Sequence, residues 1–441
     1  MSVEINHTHD AKARSWVESA NRSGNDFPIQ NLPYAVFRRA QSAEAWRGGI
    51  AIGDEVVDLA ALSQKGLLEG LAGAAAAAAS QSTLNAFFEM GPAAWQALRH
   101  GMFRLLGSDT KAEQQRFLSE CLVSQSHVEY AVPVQIGDYS DYYTSIYHAE
   151  NIGKLAGLNT ATPNFKWIPL AYHGRASSIG VSGQKFRRPF GQAKLPDAPA
   201  PILQPTQKLD YELELAIYVG KSNQLGHPVS VSEAEQHIFG IGLLNDWSSR
   251  DIQFWEMAPL GPFLGKSFAT TISPWIVSLE ALAPFRLPFE RPDRDPQPLP
   301  YLDAKANRAT GAIDVTLEVW LGSSKQRAQG VPTKRVSSTS FKHQYWTVAQ
   351  MLAHHTINGC NLKVGDLLGT GTVSGPTVSE AGALIELALN GAAPVELTTK
   401  EKRAFLEDGD TVTLRGYCER PGYARIGLGE SMGEVLPALG V

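Results

Sequence analysis

The chain is 441 residues long, 43% hydrophobic and 19% charged, a length and balance that fit a soluble globular protein of two domains with a large core. Its formal net charge of −5, with no basic tract to neutralise phosphates, excludes nucleic acid as the main partner. The three cysteines, Cys121, Cys360 and Cys418, are too scattered for a disulfide framework or a thiolate metal site and point to a reducing compartment.

The first residues, Met1-Ser2-Val3-Glu4-Ile5-Asn6-His7, carry no basic-then-apolar leader, and no apolar run reaches the length of a bilayer span, so a cytoplasmic protein with no membrane partner is expected. Residues 1–130 read as one domain, with a small β-unit at 50–59 followed by helical stretches. Among these, the alanine run 73–79 reads as a surface helix or its linker without chemistry, and a second stretch covers 87–105. From about Val132 the texture changes to short β-branched and aromatic runs broken by Gly and Pro, for example 312–321 and 383–389. That density of strands and turns predicts a β-dominated second domain, 131–441, instead of alternating βαβ units. The Pro-rich stretch 284–300 is short enough for an ordered loop.

Within the second domain, 137–149 reads as a turn entering a helix that ends near Gly157. If the helix runs from Asp141, His148 lies on the same face seven residues on. Alternatively, Asp141 and Tyr143 precede it in extended form and point one way together. Either geometry can unite a carboxylate, a phenol and an imidazole. Residues 209–220 read as a strand with Leu213, Leu215 and Ile217 on one side of the pleat and Glu212 and Glu214 on the other. Two carboxylates a pleat apart repel unless water solvates them or a hard cation sits between them. At 244–256 Asp246 falls where a strand gives way to a helix, with Arg250 and Gln253 at i+4 and i+7. As a surface feature this would be an Asp–Arg pair of a few tenths of a kcal/mol. Lys266 and Thr270 follow a Gly/Pro-rich loop.

Two motifs are decoys. Gly261 to Ser267 is one residue short of a phosphate-binding loop, and Pro262 has no N–H to offer. Gly429-Glu430-Ser431-Met432-Gly433 fits a nucleophile elbow, but the last histidine is His355, upstream of the serine where an α/β-hydrolase needs one downstream.

The runs Asp138 to Asp141, Tyr172 to Ser178, Asn245 to Ser248, Pro259 to Ser267, His354 to Asn361 and Gly371 to Pro376 together, in this order, resemble the fumarylacetoacetase family. The resemblance implies a β-rich α+β fold, with a small N-terminal SH3-like barrel domain followed by a larger mixed β-roll catalytic domain, assembled as a homodimer. It implies hydrolysis of a carbon–carbon bond in 4-fumarylacetoacetate, giving fumarate and acetoacetate, the last step of tyrosine and phenylalanine breakdown. By the same resemblance Asp141, Glu212, Glu214 and Asp246 match carboxylates around Ca²⁺ or Mg²⁺, with Lys266 and Thr270 beside the ion. His148 matches the general base and Glu386 its carboxylate partner. Tyr143, Gln253 and Thr372 match substrate contacts, and Arg250, Gln253 and Lys266 are suited to donate to developing negative charge. As a strand residue, Glu386 faces away from Ile385, Leu387 and Leu389 and so need not be buried in apolar core.

Two departures bear on substrate identity. An arginine expected after the helix has no counterpart in 155–159, and a tyrosine of the substrate site is replaced by Met257. The nearest rival reading is a related reaction on an acylpyruvate or other β-diketo acid, by hydrolysis, decarboxylation or enol hydration. A non-catalytic metal or ligand binder has no use for a base and its orienting acid, and a purely structural protein leaves the Glu212/Glu214 face unexplained.

Overall fold

The computed structural model describes residues 4–155, 157, 161–195 and 197–440. Near the N-terminus a five-stranded antiparallel sheet forms in the order Leu122–Ser124, Glu55–Asp58, Arg47–Ile52, Tyr34–Arg39 and Val128–Ala131. Its alternation buries both faces: Tyr34, Val36, Ile50, Ile52 and Val57 point into one cluster, and Ala35, Phe37, Ala51 and Val56 into another. The alanine run is not a linker. It lies in a helix, Gly70–Ala79, that buries Ala72, Ala75, Ala76 and Ala79 at helical spacing. Its small side chains permit a close approach to the sheet, for a Cβ on Gly48 would come within 1.7 Å of the Ala79 carbonyl oxygen. The second helical stretch is two helices, Asn85–Glu89 and Pro92–Leu106, separated at Gly91 with φ 81°.

The larger part of the chain builds two mixed sheets, as the strand-rich texture predicts. The first has eight strands. Its path runs Leu170–Gly174, Tyr139–Tyr143, Leu367–Gly369, Leu213–Val219, Ile238–Asp246, Thr270–Ile272 and Ile179–Val181, with Val277–Ser278 also paired to Ile238–Asp246. The second has five, in the order Lys334–Ser340, Thr316–Gly322, Thr411–Cys418, Ile426–Leu436 and Gln184–Arg187. Ser431 lies inside the fourth of these strands, fully buried and donating to the Thr271 carbonyl at 3.1 Å. It therefore does not sit on an exposed strand-to-helix elbow.

The strand Leu213–Val219 is buried on both faces. Leu213, Leu215, Ile217 and Val219 point into the main core, whereas Ala216 and Tyr218 join the cluster shared with the N-terminal sheet and helices. Glu212 and Glu214 continue that second face, so the N-terminal layer and the two glutamates lie on one side of one strand. The stretch 209–220 is not one continuous strand, because Leu209–Asp210 pairs separately with Ser248–Ser249. Nor is 383–389 a strand: Leu384–Leu387 is one short helical turn, and Glu386 is buried within it. The physical reason is local. The N–H groups of Leu384 and Ile385 donate to the buried Asp210 carboxylate, at 2.8 and 3.2 Å, instead of to a neighbouring strand.

Candidate metal centre and active site

The second of the two geometries open for 137–149 is the one formed: Tyr139–Tyr143 is a strand, and Ile146–Leu155 is the helix carrying His148. Asp141 pairs in parallel register with Gly369, and Gly369 in turn pairs with Ala216 on the glutamate-bearing strand. Asp246 ends its strand opposite Thr270. Four acids from three strands and the residue before one of them thus meet at one place: a ligand atom from each of Asp141, Glu212, Glu214 and Asp246 lies within 4.8 Å of every other. All four side chains are buried; Glu214 is 0% and Glu212 5% exposed. The solvated-face reading of this strand is therefore excluded.

Two glycines make the cluster possible. A Cβ on Gly369 would stand 2.7 Å from Asp141 Oδ1 and 3.0 Å from Glu214 Oε2. Gly371, at φ 74°, turns its N–H onto Glu214 Oε2 at 2.9 Å.

Lys266 Nζ bridges Glu212 Oε2 at 2.7 Å and Asp246 Oδ2 at 2.6 Å. Thr270 Oγ1 donates to Asp246 Oδ1 at 3.4 Å, and Tyr172 Oη donates to Asp246 Oδ2 at 2.9 Å. Arg250 Nη1 donates to Glu212 Oε1 at 2.6 Å and to Gln253 Oε1 at 3.1 Å. Asp246 and Arg250 do not form the i+4 pair suggested by their spacing. Asp246 is still in the strand, the helix begins only at Arg250, and the guanidinium turns to Asp210 and Glu212. Two oxygens, Asp141 Oδ1 and Glu214 Oε1, are buried with no hydrogen-bond partner.

The electrostatics follow from this placement. Burial raises the Glu212 carboxyl, but Lys266, Arg250 and His148 outweigh it and hold the group far below the usual carboxylate range. Burial lifts Asp141 well above that range, and repulsion from Asp246 adds to it. Glu214 is likewise raised, by burial and then by Asp141. The cluster contains more carboxylate than its own cations neutralise, with two buried oxygens unpartnered. An all-oxygen, anionic donor set of this kind fits a hard divalent cation.

His148 Nδ1 lies 2.7 Å from Glu386 Oε2. Glu386 also accepts from Asn151 Nδ2 at 2.8 Å and from Ser374 Oγ at 3.0 Å to each oxygen. Glu386 is only 3% exposed, and both its oxygens are met by polar partners instead of apolar core. Burial pushes its carboxyl up, but His148, Asn151 and Ser374 reverse this and keep it below the ordinary value. The pairing assigns the proton to Nδ1 and leaves Nε2 as the acceptor.

Of the expected substrate contacts, Tyr143 sets its ring edge-on to His148, with centroids 5.3 Å apart. Gln253 stands on the same helical turn as Arg250, and Thr372 is buried with its hydroxyl unpartnered. Met257 is exposed at the end of that helix. The place of the missing arginine falls largely outside the described residues, at Ala156, Leu158 and Asn159. Sequence reasoning assigned no role to Asn151, Ser374, Tyr172 or Asp210. Asn151 had a signal, three residues past His148 on one helix face; Ser374 had none.

A buried carboxylate cluster fit for a divalent cation, beside an imidazole held by its own acid, defines the class: a metal-dependent hydrolase on a β-rich, two-part scaffold. Residues 139–435 match the family model described as fumarylacetoacetate (FAA) hydrolase C-terminal, and residues 30–133 the one described as fumarylacetoacetase N-terminal. The fumarylacetoacetase of Oryza sativa subsp. japonica is 46% identical over 432 residues, covering 97% of this chain and 98% of its own. Those of Arabidopsis thaliana and Homo sapiens are 47% and 44% identical, each covering 94% of this chain and 97% of their own. The chain belongs to the fumarylacetoacetate hydrolase family.

Proposed function

We propose that this chain hydrolyses 4-fumarylacetoacetate to fumarate and acetoacetate, closing tyrosine and phenylalanine degradation. The observation that carries the reading is the buried His148–Glu386 pair in the same site as four carboxylates, two of which carry an unpaired oxygen. Asp141, Glu212, Glu214 and Asp246 would hold Ca²⁺ or Mg²⁺, which when bound supplies Lewis acidity toward the two diketone oxygens.

The chain's own residues do the rest. His148 Nε2 takes a proton from water, and Glu386 stabilises the imidazolium that forms. The resulting hydroxide adds to the ketone carbon. The carbon–carbon bond then breaks, its electron pair leaves with the acetoacetate fragment, and that fragment is protonated by His148, which restores the base. Arg250 Nη2 is ion-paired with Asp210 Oδ2 at 2.9 Å but makes no aligned hydrogen bond; a guanidinium donor turned to the developing oxyanion is worth about 3 kcal/mol. Lys266 adds charge at the same point. Tyr143, Gln253 and Thr372 are assigned to holding the substrate.

Replacing His148 by Ala is expected to lower kcat by about 10³-fold or more, with divalent-ion binding by calorimetry retained. Near-normal turnover in that variant would remove His148 from the base role. A panel of acylpyruvates and related diketo acids, followed by loss of their ultraviolet absorbance, tests the substrate assignment against the Met257 departure.

The wider reading is a two-domain chain, 1–130 and 131–441, with the first an SH3-like barrel carrying a helical extension. It works in the cytoplasm as a homodimer. A partner copy is supported by the exposed apolar run Phe254, Trp255, Met257, Leu260, Phe263 and Leu264, in which Leu260 is 96% exposed.

A further inference from the structure

The carboxylate of Asp210 belongs to neither the metal cluster nor the base pair, yet it is wholly buried between them. Its strand segment pairs with Ser248–Ser249, directly before the helix that starts at Arg250. Asp210 Oδ2 accepts from Arg250 Nε at 2.9 Å. Arg250 Nη2 is equally close to the same oxygen, at 2.9 Å, as an ion pair without an aligned hydrogen bond. On the other side, Asp210 Oδ1 accepts from the Leu384 and Tyr211 N–H groups at 2.8 Å each, and Oδ2 from Ile385 N–H at 3.2 Å. Leu384 and Ile385 open the single turn whose next residue is Glu386.

A buried charge is retained only where it is paired and fully hydrogen-bonded, and here one carboxylate meets that condition by joining two separate parts of the site. Through Arg250 it fixes the guanidinium that donates to Glu212. Through the Leu384–Ile385 amides it fixes the backbone from which Glu386 reaches His148. A four-residue turn has little rigidity of its own, so its placement depends on what holds its first N–H groups.

We infer that Asp210 is a positioning residue for the reaction, setting Glu386, and through it the His148 imidazole, in register with the Arg250 guanidinium at the metal cluster. The inference rests on the catalytic reading above. It excludes direct participation, because the Asp210 carboxylate is fully occupied by Arg250 and by backbone amides.

The test is a double-mutant cycle of Asp210→Asn and Glu386→Gln. Asparagine keeps the volume and one acceptor oxygen but sets an amide against the guanidinium. Alone, Asp210→Asn is expected to lower kcat about 10- to 100-fold, the scale of a small misplacement of catalytic groups, with KM changed less than about 3-fold. On the Glu386→Gln background the same change is expected to cost less than about 3-fold, because the group being positioned has already lost its function. Equal fold-losses on both backgrounds, or a parental kcat in Asp210→Asn, would overturn the inference. If Asp210→Asn does not fold, Asp210→Glu serves: it keeps the charge and shifts it by one methylene. A folded Asp210→Glu with lowered kcat supports positioning, and one with parental kcat overturns it. Failure of the catalytic reading is separately visible, as a parent chain without turnover or a Glu386→Gln variant with full activity.

Discussion

Gly369 shows how tightly the metal cluster is specified by single atoms. It contributes no side chain, yet the space beside its Cα is where Asp141 and Glu214 come together. Alanine there adds a methyl carbon 2.7 Å from Asp141 Oδ1, on a backbone held by strands on both sides. The strand cannot retreat, so the carboxylates must spread. Gly369→Ala is expected to weaken divalent-ion binding about 10- to 100-fold, the range for disturbing the groups that orient ligands, while the fold persists by circular dichroism. Calorimetric titration with Mg²⁺ and with Ca²⁺ checks it, and unchanged affinity would show that the acids do not bind as one cage. No reading of the chain singled out Gly369, because a glycine's role as empty space appears only when its neighbours are placed. Of the four acids, Glu212 and Glu214 were legible as a pair from strand alternation, whereas their grouping with Asp141 and Asp246 came from the family resemblance.

At the scale of elements, what the sequence disclosed was periodicity and what it hid was local competition. Alternation at Leu213, Leu215 and Ile217 against Glu212 and Glu214 placed the two faces correctly, since a strand has only two. Glu386 was misplaced on a strand because Leu384, Ile385 and Leu387 suit either state, and a distant carboxylate, Asp210, draws the Leu384 and Ile385 amides into a turn. The alanine run does form a helix, one of the two forms expected of it, but its packing role was hidden. Small side chains look featureless in sequence, but here they let the helix Gly70–Ala79 lie directly against the sheet at Gly48. Gly48→Ala would drive a carbon into the Ala79 carbonyl, forcing the helix outward. Overpacking of this kind costs about 1–3 kcal/mol, and urea unfolding should show the midpoint lowered by that amount. Kinetics in the folded variant should stay within about 2-fold of the parent, since the helix packs chiefly on its neighbouring helices and the strand Arg47–Ile52. A variant as stable as the parent would mean that the helix is free to shift.

Over the whole chain, the N-terminal layer and the metal cluster share one strand and its neighbour, so their stabilities cannot be separate. Tyr34 exchanges backbone hydrogen bonds with Ile276 at 2.9 and 2.8 Å, joining the N-terminal sheet to the second part of the chain. Phe239 stacks on Phe88 at 4.1 Å and meets Phe87, Tyr34 and Trp95. That same strand, Ile238–Asp246, ends at the cluster acid Asp246. Heating is therefore expected to unfold the chain in one transition seen alike by calorimetry and near-ultraviolet circular dichroism. A divalent ion that binds only the folded state at 100 times its Kd adds about 2.7 kcal/mol. For a chain of this length, with an unfolding entropy of roughly 0.9 kcal/mol/K, that is a rise in Tm of about 3 °C. A chelator should abolish turnover and lower the single transition by about that amount, without splitting it, because core burial and not the ion holds the two parts together. A split into two transitions on chelation would show that the cluster, and not the Phe239 contact and the Tyr34–Ile276 bridge, joins them.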